Sequence, residues 1–574
     1  MQRLKRILLP MQGQSKSHLH WLYNTSSRNE DEEEKVFTYG ELRFSFAGTG
    51  HRNTERLMLM VHIPSKFLWE EKPVDTLPYE DYLLRRLAPE LNELSREYYN
   101  ADKNVREKAQ FEAQQVNEHV LRRSGLYYDA PKGAFLLRIL FYVPLLNAVS
   151  VNGKAAFRAI RDIMEHVERR LQTLDATELR RCVQLYERQC EIRSYLKMHG
   201  YCAFVADGSI LPRENGTNQP KTQAIPFQSP KESAITIPLA DGECISGMGV
   251  KQGITVITGG GYSGKSTLLD ALEMGIYNHA YGDGREYVLT EASALKVYTE
   301  DGRPVSELNL SPFFQYLPGA ADLESFTTRH ASGSVSQAAN VIEAVMGGAK
   351  VLLMDEDKSA TNFMIRDHRM RQLVTKEPII PFTDRVTELY EEKGVSTILV
   401  IGGSSEYLAY ADTVLLMEDY TARDVTGQIQ ELGLVASERE RMPISWMSER
   451  FLIPKETTQS FLYFRTVETE NEKKIILDDY SADITLLTAL TSGNQLNTLA
   501  FLMEMLLTDK NADSAELLEK IETCWSRLFG GIFDAEMHSG VLIDTHGFLE
   551  EIRPLDAFCC VNRMRGVRFQ VGKE

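Results

Sequence analysis

Apolar and polar positions first alternate at Leu42, Phe44 and Phe46, which Arg43 and Ser45 separate, and Leu57–Ile63 is a second apolar run, so the chain is predicted to open with a strand pair. The period then lengthens. Phe157, Ile160, Met164, Val167 and Leu171 share one helical face, and Leu179, Val183, Tyr186, Cys190 and Leu196 outline a second helix that ends at Gly200. Residues 213–233, rich in Pro, Asn, Gln and Ser, read as a connector and put a domain boundary near Ala206. Beyond it, Ala234–Leu239 and Cys244–Met248 flank an Asp241-Gly242 turn and predict a hairpin, which leads into the apolar strand Ile254–Ile257. Two more buried strands are predicted at Val351–Asp355 and Ser396–Ile401.

Composition narrows the classes this pattern allows. At 574 residues the chain exceeds one ordinary core, and two to four domains are expected. The 64 basic and 81 acidic residues leave a formal charge of −17, which argues against non-specific binding to phosphate backbones unless Lys and Arg collect on one face. The arginines of the long helices are interleaved with Asp and Glu, as on solvated helix surfaces. Seven cysteines form no CxxC pair and read as reduced thiols of a cytosol-like compartment. No apolar run reaches the ~18 residues a membrane span needs. The longest candidate, Gly133–Val149, is broken by Arg138, so no membrane domain of its own is expected. The acidic run Glu30–Glu34 follows 29 residues that carry Arg3, Lys5, Arg6, Lys16 and Arg28 and no acid. That stretch is compatible with a mitochondrial presequence, but an ordinary N-terminal helix and a cytoplasmic location are the preferred reading.

The chemistry begins where the strand Ile254–Ile257 ends. Gly259-Gly260-Gly261-Tyr262-Ser263-Gly264-Lys265-Ser266 satisfies GxxxxGK[ST] between a predicted strand and a helix marked by Leu268, Leu269 and Leu272. Glycines let such a loop turn its N–H groups inward to cradle phosphates. Lys265, the helix N-terminus opened by Ser266 and Thr267, and a Mg²⁺ held by Ser266 balance the charge. The expected cofactors are therefore ATP and Mg²⁺. Asp355 and Glu356 close the second apolar strand, with Asp355 expected on the metal side and Glu356 as the general base that orients an attacking water. Between the P-loop and this strand, Ala331-Ser332-Gly333-Ser334 opens a helix through Ala338, Ile342 and Val345, where a hydroxyl and free N–H groups suit a terminal phosphate.

This last segment resembles the ABC signature, LSGGQ, and Ser332 precedes Asp355 by the 23 residues typical of that family. Asp355-Glu356-Asp357-Lys358-Ser359-Ala360-Thr361-Asn362 likewise resembles the run DEPTSALD. The resemblance implies an α/β fold with a P-loop NTPase core of ABC type, a mixed sheet with flanking helices. It also implies composite ATP sites, in which the signature of one module completes the P-loop site of another. One P-loop and no internal repeat are present, so a homodimer is expected, with Ser332, Gly333 and Ser334 contacting ATP in trans. Departures are visible too. Ser334 and Val335 replace Gly and Gln, with Gln337 close by, and Gly402-Gly403 stand where the family has its switch histidine. Hydrolysis would then be slow or use another group such as Ser404. Gln315 is the nearest candidate for the Q-loop, or an ordinary loop glutamine. Phe227 and Tyr262 are rivals for stacking on adenine.

Beyond the generic class, the chain is similar to stand-alone ATPases of the ABC class, mostly bacterial, that include a mitochondrial RNA-binding protein of kinetoplastids. The blocks that carry this are Phe204–Arg213, Pro226–Pro230, Gly282–Val288 and Ser359–Asp367. A QGDPFA-like segment near His51–Pro64 is lacking. The resemblance implies three parts: an α+β N-terminal domain (1–205), the ATPase domain (206–435) and a mainly helical C-terminal domain (436–574). The function it implies is an ATPase that couples ATP binding and hydrolysis to motion of the flanking domains. The alternative is an ATP-controlled protein that binds RNA or another nucleic acid and hydrolyses little. In that alternative Arg553, Arg563, Arg565 and Arg568 would line the nucleic-acid surface, whereas a basic helix rim explains them without one. A tight turn is the default role for Asp207-Gly208-Ser209.

Overall fold

The computed structural model describes residues 1–22, 36–48, 55–101, 109–319, 322–366, 373–374, 376–434, 449–453, 467–470, 473–508, 516–531 and 547–572. The acidic run Glu30–Glu34, His51 and Asp367 lie outside the described residues. The chain divides into two compact units. One holds residues Met1–Gln184 and Ser526–Glu551, the other Leu185–Trp525 and Ile552–Glu574. Among the described residues no helix is long and apolar enough to cross a membrane.

In the first unit the helix α1 (Gln2–Leu8) buries Leu4 and Leu8. The antiparallel sheet comprises β1 (Phe37–Tyr39), β2 (Leu42–Gly48), β3 (Arg56–Pro64), β4 (Gln110–Ala113), β5 (Leu126–Asp129) and β6 (Ala134–Tyr142). Its order is β1-β2-β3-β6-β4, with β5 also on β6. The predicted strand pair is β2 and β3, in register Phe44 to Val61 and Phe46 to Leu59. Alternation puts Leu42, Phe44 and Phe46 into the core, where Leu57, Leu59, Val61 and Ile63 meet them. The sheet packs on α2 (Leu77–Ala101) and α3 (Gly153–Gln172). Asn152 caps α3 by accepting from the Ala155 N–H at 3.2 Å. Ile160, Met164, Val167 and Leu171 are all buried, the face their spacing predicted. Residues 547–551 return to this unit from far along the chain. There the Arg123 guanidinium, 2 % exposed, bridges Asp81 and Glu550 at 2.7 Å each. The apolar stretch broken by Arg138 is the buried strand β6, with Arg138 over the Tyr127 ring at 5.0 Å.

A second long helix, α4 (Ala176–Met198), leads into the second unit, which has two sheets. The antiparallel one is ordered β8-β9-β7-β11, from β7 (Tyr201–Ala206), β8 (Ala234–Pro238), β9 (Cys244–Lys251) and β11 (Val288–Thr290). The predicted hairpin is β8 and β9, paired Ala234 to Met248 through Pro238 to Cys244. The second sheet contains β10 (Ile254–Gly259), β12 (Ala294–Val297), β13 (Val351–Asp355), β14 (Ser396–Val400), β15 (Thr413–Glu418) and β16 (Thr421–Asp424). It runs β12-β13-β14-β10-β15-β16; every pair is parallel except β15 with β16. Continuous apolar runs form these strands because helices such as α5 (Lys265–Met274) and α6 (Gly333–Met346) cover them. The later described residues form a meander over Val467–Glu470, Lys474–Leu477 and Tyr480–Asp483, helices α7 (Gly493–Thr508) and α8 (Pro554–Arg563), and the paired strands Arg450–Ile453 and Arg568–Val571.

The connector 213–233 is irregular, yet it is anchored. Arg213 pairs with Asp283 at 2.8 Å, and Phe227 exchanges backbone hydrogen bonds of 2.8 Å with Gly208 and Ser209. The blocks around Asp207, Phe227 and Asp283 therefore converge on one turn. The Asp207 carboxylate closes it by accepting from the Ser229 N–H at 2.6 Å.

Candidate functional site

The site sits at the carboxyl ends of the parallel strands, the place where open α/β sheets bind ligands. The loop 260–264 leaves β10 and α5 starts at Lys265, with Gly264 as its left-handed N-cap at φ 101°. Glycine is required at two points. A Cβ on Gly259, at φ 144°, would lie 2.2 Å from the Met417 carbonyl oxygen, and one on Gly264 would lie 3.2 Å from the Tyr420 ring. Gly260 and Gly261 have open space instead. Ser263 is buried and its carbonyl accepts from the Tyr420 N–H at 3.1 Å. The Lys265 ammonium donates to the Gly259 and Gly260 carbonyls at 2.7 Å each, so it lies over the loop. Thr267 follows on the first turn of α5 and is half-buried.

Register carries the second motif to the same edge. Because β13 pairs with β14, Asp355 stands opposite Val400, and the Gly402-Gly403 turn faces the end of β13. Buried Asp355 presents Oδ2 to the Ser266 hydroxyl at 3.4 Å, while its Oδ1 accepts from the Asp357 N–H at 3.1 Å. Glu356 is half-buried. Its Oε2 accepts from the Gly402 and Gly403 N–H groups at 2.7 and 3.2 Å. The pair noted in the sequence only as a missing histidine thus supplies two backbone donors to the expected base. Burial, then the Glu356 charge, pushes the neighbouring Tyr407 hydroxyl well up, and it donates to the Met364 carbonyl at 2.7 Å. Ser404 is half-buried and accepts from the Glu406 N–H at 3.2 Å.

The third motif begins α6, with Ser332 as an exposed N-cap whose side chain makes no capping bond. Gly333 and Ser334 are half-buried. The Gly333 carbonyl accepts from Thr299 at 3.0 Å and Ser336 at 2.8 Å. Gln337 is buried: its Oε1 accepts from the Ala360 N–H at 2.6 Å and ties this helix to the run after Glu356. Gln315 is exposed on a loop, where its N–H donates to the Pro378 carbonyl at 2.8 Å.

These motifs also meet a family model. Residues 175–450 match the P-loop domain of the ABC ATPases. The chain carries an ABC-type P-loop domain. Over 255 residues it is 32% identical to an uncharacterized protein of Methanocaldococcus jannaschii, covering 42% of this chain. It spans 56% of that relative's length. Among solved structures, cbiO1 of Clostridium perfringens, part of an ABC transporter complex, is 15% identical with a TM-score of 0.23, over 39% of this chain and 87% of that one. An ATP-binding cassette of an ABC transporter in its ADP conformation is 15% identical with a TM-score of 0.22, over 34% and 91%.

Around this ABC-type domain several expectations change. Phe227 is 5% exposed and belongs to the packed turn described above, so it offers no face to a nucleotide. Tyr262 is 98% exposed at φ 59°. Beside it, the Asp419-Tyr420 turn between β15 and β16 holds two non-glycine residues at positive φ and leans Tyr420, 58% exposed, on the P-loop. Tyr420 went unnoticed in the sequence because nothing local links a late hairpin to Gly264. The arginine tail also departs from a basic surface. Arg553 is spent on Asp556 at 2.6 Å, and buried Arg563 on Glu300 and on the Asn340 Oδ1 at 3.0 Å. Burial alone would raise the Glu300 carboxyl, but Arg563 and Arg303 outweigh it and hold it below the usual range. Only Arg565 and Arg568 of the four are exposed.

Proposed function

We propose that the protein binds MgATP and hydrolyses it slowly at composite sites of a homodimer, and that closure and opening of the pair move the flanking domains. The observation that carries this reading is the convergence of the P-loop, the Ser266–Asp355 pair and Glu356 on one edge of the parallel sheet. The P-loop N–H groups, the α5 N-terminus and Lys265 receive the phosphates. Ser266 Oγ and Asp355 Oδ2 are both oxygen donors and lie close enough to share one small hard cation, so they fit Mg²⁺. When bound, that ion would screen the phosphate charge. Glu356 accepts the proton of the attacking water. Ser332, Gly333 and Ser334 of the second copy supply hydroxyl and N–H donors to the terminal phosphate across the dimer.

Slow turnover follows from the Gly402-Gly403 pair, which puts no imidazole beside the terminal phosphate. Both backbone N–H groups bond Oε2 of Glu356, which leaves Oε1 as the oxygen that takes the proton. ATP is then as much a switch for closure as a fuel. The test is phosphate release with MgATP from wild type, Lys265→Ala and Glu356→Gln, with light scattering on the same samples. Expected are loss of turnover in both variants and an ATP-dependent dimer that persists in Glu356→Gln. Wild-type turnover in Glu356→Gln, or monomers throughout, would sink the proposal.

A further inference from the structure

The signature loop is held from outside its own helix. With no side-chain cap on α6, the loop is fixed by backbone pairing to the segment Glu300–Arg303. The Ala331 N–H donates to the Arg303 carbonyl at 2.9 Å and the Gly302 N–H to the Ala331 carbonyl at 2.7 Å. The Glu300 N–H adds a bond of 2.9 Å to Ser336.

The C-terminal tail grips both sides of this small ladder. The Arg565 guanidinium donates through Nη1 to the Arg329 carbonyl at 2.9 Å and through Nη2 to the Gly302 carbonyl at 2.8 Å, one planar fork spanning the two segments. Two residues earlier, Arg563 holds the Glu300 carboxylate. The Arg303 guanidinium takes Glu343 through two bonds of 2.8 Å and reaches the Asn562 carbonyl at 3.1 Å. Arg565 is in turn fixed to the meander, its N–H donating to the Ser481 carbonyl at 2.7 Å. Farther along the same C-terminal region, Thr488 bonds Glu273 in the last turn of the P-loop helix, and the Ala489 carbonyl accepts from the hydroxyl of Tyr277, just past that helix, at 2.9 Å.

We propose that Arg565 is a positioning residue for the signature loop: through it the C-terminal region sets the geometry in which Ser332 and Ser334 meet the partner's nucleotide. This rests on the composite-site reading above. Arg565 is exposed and its loss empties no core, so its effect falls on the loop rather than on folding.

The experiment uses the full chain carrying Glu356→Gln, with and without Arg565→Ala, Ser332→Ala and both. Two quantities are read: the Kd of ATP for dilute monomer, by calorimetry, and the ATP-dependent dimer dissociation constant, by sedimentation. Expected for Arg565→Ala are an ATP Kd within twofold of the parent and a dimer weakened at least tenfold. Ser332→Ala should weaken the dimer comparably, and the double variant should add little, because both changes disable one loop. A dimer within threefold of the parent, an equal loss of monomer ATP affinity, or fully additive losses would each overturn the proposal. If the Glu356→Gln parent forms no ATP-dependent dimer at all, the composite-site reading fails first and takes this inference with it.

Discussion

Gly259→Ala tests whether the P-loop is shaped by its contact with the neighbouring strand. The residue ends β10 at φ 144°, opposite Met417 on β15, and its added Cβ would meet the Met417 carbonyl oxygen at 2.2 Å and the Ser263 hydroxyl at 3.0 Å. Backbone of this kind costs a non-glycine residue about 1–3 kcal/mol. The clash must also be relieved by parting two strands in mid-sheet, an overpacking cost of about 1–3 kcal/mol. The sum, about 2–6 kcal/mol, is large because each of the two strands is also paired on its other side. At ~2–4 °C per kcal/mol for a domain of some 150–250 residues, the melting temperature should fall by more than about 4 °C. ATP affinity should drop at least tenfold as the loop shifts. Gly260→Ala is the control, since its Cβ meets nothing within 4 Å and its φ is not positive. Differential scanning calorimetry and ATP titration on both variants decide the matter. If Gly259→Ala melts with Gly260→Ala and binds ATP within twofold of wild type, the steric reasoning is refuted.

Three further outcomes follow from buried groups. Arg303→Met strands the Glu343 carboxylate in the core and should cost about 3–5 kcal/mol, with much of it recovered in Arg303→Met/Glu343→Leu; equal melting temperatures for wild type and the single variant would contradict this. Burial pushes the Cys202, Cys559 and Cys560 thiols up to about 12, so iodoacetamide at pH 8 should label exposed Cys244 in the folded protein and spare those three, as mass spectrometry can check. Burial, reinforced by Lys132, holds His62 down to about 4; the unfolded chain takes up a proton there below about 6.5 while the native state does not. Stability should therefore fall as pH drops from about 6.5 to 4, and His62→Gln should flatten that limb of the melting curve.

What the sequence alone determined is local. The P-loop spans eight consecutive residues whose types leave the chain few conformations, and the acids after Val351–Met354 stand out because an apolar run stops there. The strand pair Leu42–Phe46 with Leu57–Ile63 and the face Ile160–Leu171 were legible for the same reason, since period two and period 3.6 are properties of neighbouring residues. The site's internal geometry is not local. Ser266 meets Asp355, and Glu356 meets Gly402 and Gly403, because parallel strands from distant parts of the chain end on one edge. The sequence could list the arginines of the tail but not tell a solvated charge from a buried one. Arg563 is buried where Arg568 is exposed because Glu300 and Asn340 are brought to it from far along the chain, and a guanidinium leaves water when such partners are there to meet it.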